Sequence, residues 1–222
     1  MFTDMVGYTA LIQADESLGL DKRERYWSAL ESGHAACGGT IVQRLGDGSM
    51  SMFPSALGAV EAAVSIQREL ISAEVPARIG IHVGEVIVEP ERLSGEAVNI
   101  ASRIESFSVA GGVMLSDSAY VQIKSRAELD VLRVGRYRLK NVGRPYELYA
   151  ISDEGLVVPD PQTLAGKGDS AALPTNLPEP GAQLIGRGSD LAALVELVRH
   201  NRLVTITGPG GTGPSVGWAG GR

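Results

Sequence analysis

The chain has one cysteine, Cys37, so no disulfide can form within it, and no Cys/His spacing in it suits zinc. A reducing compartment is expected, with Cys37 as a small packing residue. No apolar run approaches the roughly 20 residues needed to span a bilayer, and no basic stretch precedes an apolar one at the N-terminus. These two absences predict a cytoplasmic protein that does not engage a membrane. An excess of Lys and Arg is missing as well. With 20 basic against 26 acidic residues, a net charge of −6 and a pI near 5.2, the chain is not expected to hold nucleic acid by bulk electrostatics. An anionic ligand must be met by local groups.

What is present suffices for one domain and an appendage: 222 residues, 44% hydrophobic and 21% charged. From Leu18 to Cys37 the apolar positions Leu20, Tyr26, Trp27 and Leu30 are spaced as on an amphipathic helix, which stops at Gly38-Gly39. A hairpin over 40–53, a helix over 55–74 and a β pair in ARIGIHVGEVIVEP, bending near Gly84, are predicted next. GEAVNIASRIESF returns to helical spacing, GVMLSD reads as a strand, SAYVQIKSR as a short helix, and VLRVGRYRLKNV with YELYAIS as closing strands. The opening residues read as a strand shortened at its N-terminal side. Hairpins interleaved with helical crossovers predict an α+β fold over residues 1–153, a ferredoxin-like antiparallel or mixed sheet with flanking helices.

Residues 154–183 carry repeated Pro and Gly without apolar period, the composition of a flexible linker. Residues 184–222 open like a P-loop domain, with a strand, RLVTIT, feeding a Gly-rich turn. The motif fails over 208–215, because Pro214 stands where the phosphate-binding lysine belongs, and the following SVGWAGGR has too many glycines for the expected helix. The segment resembles the truncated start of a signal-transduction ATPase domain of the P-loop class.

QRLGDGSMSMFP is a hairpin signal, two β-type runs around Asp47-Gly48. Asp47 is explained by the turn alone unless a second carboxylate joins it. The candidate is Asp4, in MFTDMVGYTAL, where a strand gives way to a turn containing Gly7. Two carboxylates at neighbouring strand ends can hold two divalent ions about 3.5–4 Å apart for in-line displacement at phosphorus. An Asp at a strand end is also commonly a cap or a turn residue.

FTDMVGYTAL, LGDGSMSMFP, GIHVGEVIVEP, GEAVNIASRIES and RYRLKNVGRPYELYAI stand in the order and approximate spacing of the class III nucleotidyl cyclase catalytic domain, which residues 2–151 resemble. Mycobacterial adenylate cyclases are especially similar. The resemblance implies that Asp4 and Asp47 bind two Mg²⁺ or Mn²⁺ ions, and that backbone amides of Met5, Val6 and Gly7 meet a phosphate. It implies that Asn99 orients the ribose, that Arg103 stabilises charge on the α-phosphate and that Lys140 meets the triphosphate. It further implies a head-to-tail homodimer, with aspartates and the Asn/Arg pair joining one site from opposite chains.

The base-reading positions depart from the family pattern. Adenylate cyclases of this family usually have a lysine and an aspartate where this chain has Gln43 and Arg92. A Gln amide both donates and accepts, whereas Arg only donates. The expected reaction is therefore ATP to 3′,5′-cyclic AMP and pyrophosphate, with GTP as an alternative substrate. A catalytically weak nucleotide-binding or dimerisation module is the other reading. A palm-type polymerase or diguanylate cyclase relative fits less well, given the Asn99/Arg103 helix and the absence of a GGDEF-like loop.

Overall fold

Strand β1 (Phe2–Met5) lies inside a sheet, antiparallel to β3 (Gly48–Met52) on one side and to β4 (Ala77–Ile81) on the other. Of the computed structural model, residues 1–89, 92–161, 163–164, 169–170, 196–197 and 200 are described. The chain forms two units, Met1–Ala171 and Ala172–Arg222. In the second, residues 196, 197 and 200 are helical, and the Gly-rich segment 208–215 with Pro214 lies outside the described residues. Most of the linker expected over 154–183 lies outside them too.

After β1 come α1 (Tyr8–Ala14) and α2 (Glu16–Cys37), then the β2 (Thr40–Leu45)–β3 hairpin and α3 (Ala56–Ser72) leading into β4. Next are β5 (Ile87–Glu89), β6 (Arg92–Ser94), α4 (Glu96–Phe107), β7 (Val113–Ser116) and α5 (Asp117–Ile123). Finally β8 (Val131–Arg138), β9 (Pro145–Ile151) and β10 (Asp169–Ser170) complete the sheet, whose order is β10-β8-β9-β7-β4-β1-β3-β2. Only β4 and β7 run parallel among its pairs, so the expected α+β fold with a mostly antiparallel sheet is observed.

Strand alternation divides the core between the two faces of the sheet. Ile79, Ile81, Val113 and Leu115 pack with Tyr26, Leu30, Ile66 and Leu70 of α2 and α3. Met114, between Val113 and Leu115, packs instead with Ile100, Ile104 and Phe107 of α4. Gly80 lets α4 lie directly on β4. A Cβ there would sit 2.2 Å from the backbone N of Glu105.

Three local expectations are corrected. The β pair within ARIGIHVGEVIVEP does not form, because both edges of β4 are already taken by β1 and β7; β5 pairs with β6 in a separate two-stranded sheet. The hairpin turn is Gly46-Asp47 rather than Asp47-Gly48, with the positive φ of 71° at Gly46. The helix read from Leu18 begins at Glu16, because Asp15 Oδ1 accepts from Leu18 N at 2.9 Å and separates α2 from α1.

Candidate active site

Period-2 alternation along β1 sends Thr3 and Asp4 to opposite faces. The Thr3 hydroxyl meets Tyr26 of α2 and lies 2.8 Å from the Ser49 hydroxyl. Asp4 turns to the α4 face, where it stands opposite Arg78 across the β1–β4 pair. Arg78 Nη2 donates to Asp4 Oδ2 at 2.8 Å. The same guanidinium is ion-paired through Nε with Oε1 of Glu105, a buried residue of α4.

On its other edge Asp4 stands opposite Gly48. A Cβ at Gly48 would lie 2.8 Å from Thr3 O and 3.3 Å from Asp4 Oδ1. Gly48 thus serves close strand approach and room beside the carboxylate. Met5 N donates to Asp47 O at 3.0 Å, tying the end of β1 to the hairpin turn. Burial raises the Asp4 carboxyl above its ordinary pKa of 3.8, Arg78 opposes this, and the negative charge of Asp47 adds to the rise.

The two negative charges brought together here form a donor set that a divalent cation would relieve. Among the described residues no group of three or more His, Cys, Asp or Glu could hold a metal ion. A pair of carboxylates nevertheless fits Mg²⁺, which commonly takes one or two from protein and completes its shell with waters and substrate phosphates.

The structure narrows the amide set expected to meet a phosphate. Met5 N is engaged by Asp47 O, and Val6 N donates to Pro76 O at 2.8 Å. Neither amide is available to a phosphate. Gly7 takes φ 76° at the N-terminus of α1, which has no side-chain cap, so the Gly7 end of the turn is the part still open.

Asn99 is exposed and Arg103 half-buried on the outer face of α4, one turn apart. The inner face, with Ile100, Ile104 and Glu105, covers the sheet and faces Arg78. One chain therefore turns its Asn99/Arg103 pair away from its own Asp4. Lys140 is exposed in the turn after β8, four strand steps from β1, or roughly 19 Å at about 4.8 Å per step. Gln43 is exposed on β2, the edge strand beyond β3. Arg92 begins β6, and its side chain lies outside what is described.

Sequence reasoning missed Arg78 and Glu105. The available signal was a carboxylate on the apolar stripe of α4, four residues after Ala101. A second polar cluster, His82 with Ser116 and Ser118, joins β4 to the start of α5 through contacts of 2.9 and 3.2 Å.

The profile of the adenylate and guanylate cyclase catalytic domain matches residues 32–153. A putative adenylate cyclase 3 of Rhizobium meliloti (strain 1021) is 30% identical over 187 residues, covering 77% of this chain and 32% of that protein. The chain thus spans about a third of that relative's length. The crystal structure of an adenylate/guanylate cyclase/hydrolase from Silicibacter pomeroyi matches with a TM-score of 0.64 at 28% identity, over 68% of this chain and 94% of that one. The adenylyl cyclase CyaB from P. aeruginosa matches with a TM-score of 0.58 at 25% identity, over 68% of this chain and 91% of that one.

Proposed function

Because the chain belongs to the adenylate and guanylate cyclase catalytic domain family, we propose that it closes ATP to 3′,5′-cyclic AMP, releasing pyrophosphate, at sites shared between two copies. The observation that carries this reading is the convergence of Asp4 and Asp47, from β1 and the β2–β3 turn, close enough for one charge to act on the other's proton affinity. Asp4 and Asp47 would hold two Mg²⁺ or Mn²⁺ ions, whose chemistry when bound would be to ease ionisation of the ribose 3′-hydroxyl and offset charge on the triphosphate.

The remaining roles fall to the chain's own groups. Asn99 hydrogen-bonds the ribose so that the 3′-oxygen faces the α-phosphorus, a positioning effect that replaces an improbable encounter. Arg103 donates to the α-phosphate oxygens as charge develops on them, and Lys140 meets the triphosphate. The Gly7 amide offers a phosphate contact at the end of α1. As the 3′-oxygen gives up its proton to solvent and bonds to the α-phosphorus, the bond from that phosphorus to the oxygen bridging to the β-phosphate breaks and pyrophosphate departs.

The two faces of α4 support a shared site. Since Glu105 turns inward to Arg78 while Asn99 and Arg103 turn outward, the outward pair is offered to a second copy. Base selection falls to Gln43 and Arg92. The Gln43 amide can serve adenine or guanine, so GTP is a secondary substrate. ATP is favoured by similarity to the Rhizobium relative, itself described as a putative adenylate cyclase.

The test is incubation of the purified chain with ATP or GTP and Mn²⁺, with products resolved by chromatography. Cyclic AMP formation that depends on Asp4 and Asp47 is expected. A chain that binds nucleotide but forms neither cyclic product would instead be a regulatory nucleotide-binding module.

A further inference from the structure

Glu105 occupies an unusual place for a carboxylate, on the inward stripe of α4 with its side chain 9% exposed. Its backbone is seated against β4 through the missing Cβ of Gly80, two residues after Arg78 and on the same face of that strand. Helix and strand therefore cannot slide apart locally without losing this contact. Across it, Glu105 meets Nε of Arg78, whose Nη2 meets Oδ2 of Asp4. The other oxygen, Oδ1, lies beside Gly48, next to the turn that carries Asp47.

We propose that Glu105 is a positioning residue for the candidate active site: by anchoring Nε of Arg78 it confines that cation to Oδ2 of Asp4 and keeps Oδ1 open toward Asp47. The inference deepens the cyclase reading and rests on it, in that Asp4 is taken as a metal ligand. An unanchored guanidinium has several donors and a flexible stem. Released from Glu105, it can cover both oxygens of Asp4 or reach toward Asp47, competing with a divalent cation for the same lone pairs. Groups that orient a metal's ligands commonly change its affinity by roughly 10- to 100-fold when altered. Because α4 also presents Asn99 and Arg103 on its outer face, one seating of this helix sets both the outward pair and the Asp4 carboxylate.

The experiment measures Mn²⁺ binding to the full chain by electron paramagnetic resonance of free Mn²⁺, with no nucleotide present. The proteins are wild type, Asp4→Asn, Glu105→Gln, Arg78→Met and the Arg78→Met/Glu105→Gln double variant. Glu105→Gln should weaken Mn²⁺ binding by roughly tenfold, and the same change should have no further effect once Arg78 is Met. A merely structural Glu105 predicts otherwise. Wild-type Mn²⁺ affinity in Glu105→Gln, or an equal loss in both backgrounds, overturns the proposal. Should Glu105→Gln fail to fold, Arg78→Met against the double variant still decides: a further loss of affinity in the double overturns it. Wild-type binding that Asp4→Asn leaves intact overturns the metal reading of Asp4 and this inference together, whereas Asp4-dependent binding that ignores Glu105 overturns this inference alone.

Discussion

Asp4 and Arg78 face each other across the β1–β4 pair, joined by a 2.8 Å hydrogen bond, yet the Asp4 carboxyl still sits above its ordinary pKa. Burial and the charge of Asp47 together outweigh the guanidinium. A carboxyl whose folded-state pKa exceeds its unfolded value binds protons more tightly when folded, so its ionisation at neutral pH subtracts from stability. Without divalent cations, Asp4→Asn is expected to leave the thermal midpoint unchanged or raise it, while abolishing cyclisation. Such a trade is common where function requires a strained charge. A thermal scan in chelator beside an activity assay checks both, and a large fall in the midpoint would show that Asp4 is held for stability instead.

The seating of α4 leaves no room for a side chain at Gly80 of β4. Gly80→Ala places a methyl 2.2 Å from Glu105 N and 2.5 Å from its Cα, and helix backbone cannot yield as a side chain could. Overpacking of this kind costs about 1–3 kcal/mol and occasionally more. The denaturant midpoint should fall accordingly. An unchanged midpoint would mean that α4 is not held against β4 at this point.

His82 supplies a pH test outside the proposed site. Burial lowers its pKa from 6.5 to about 4; Asp117 opposes the shift and Arg144 adds to it. The ring is neutral at pH 7, with Nδ1 toward Ser116 and Ser118. Between pH 6.5 and about 4 the unfolded chain binds the proton more tightly, so stability falls as pH falls through that window. His82→Gln should flatten this slope in denaturant titrations at pH 7 and pH 5. An identical slope in the variant would assign the acid sensitivity to other groups.

Much of this architecture is legible in the chain because the deciding signals are local. The spacing of Ala97, Ile100, Ala101 and Ile104 marks α4, and a glycine before Asp47 fits the tight turn that presents it. The turn was misplaced by one residue because Gly46, Asp47 and Gly48 offer two glycines, and only the pairing of Gly48 with Leu45 and Asp4 separates their duties. Pairings between distant strands are the illegible part. Nothing near Ile87 tells that β4 has both edges filled, so a hairpin was read where a separate β5–β6 ribbon forms. Arg78 and Glu105 were invisible for the same reason, since their meeting depends on sheet register and helix seating rather than spacing along the chain.

The central claim is that two copies complete one another's sites, with carboxylates from one and the Asn99/Arg103 face from the other. Asp47→Ala and Arg103→Ala chains, each inactive alone, should regain activity when mixed and allowed to exchange. Random pairing in a two-fold dimer makes about half the molecules mixed, each with one intact site, so roughly a quarter of wild-type cyclase activity is expected. A mixture that stays as inactive as its parents, with exchange demonstrated by differently tagged chains, would contradict the shared site.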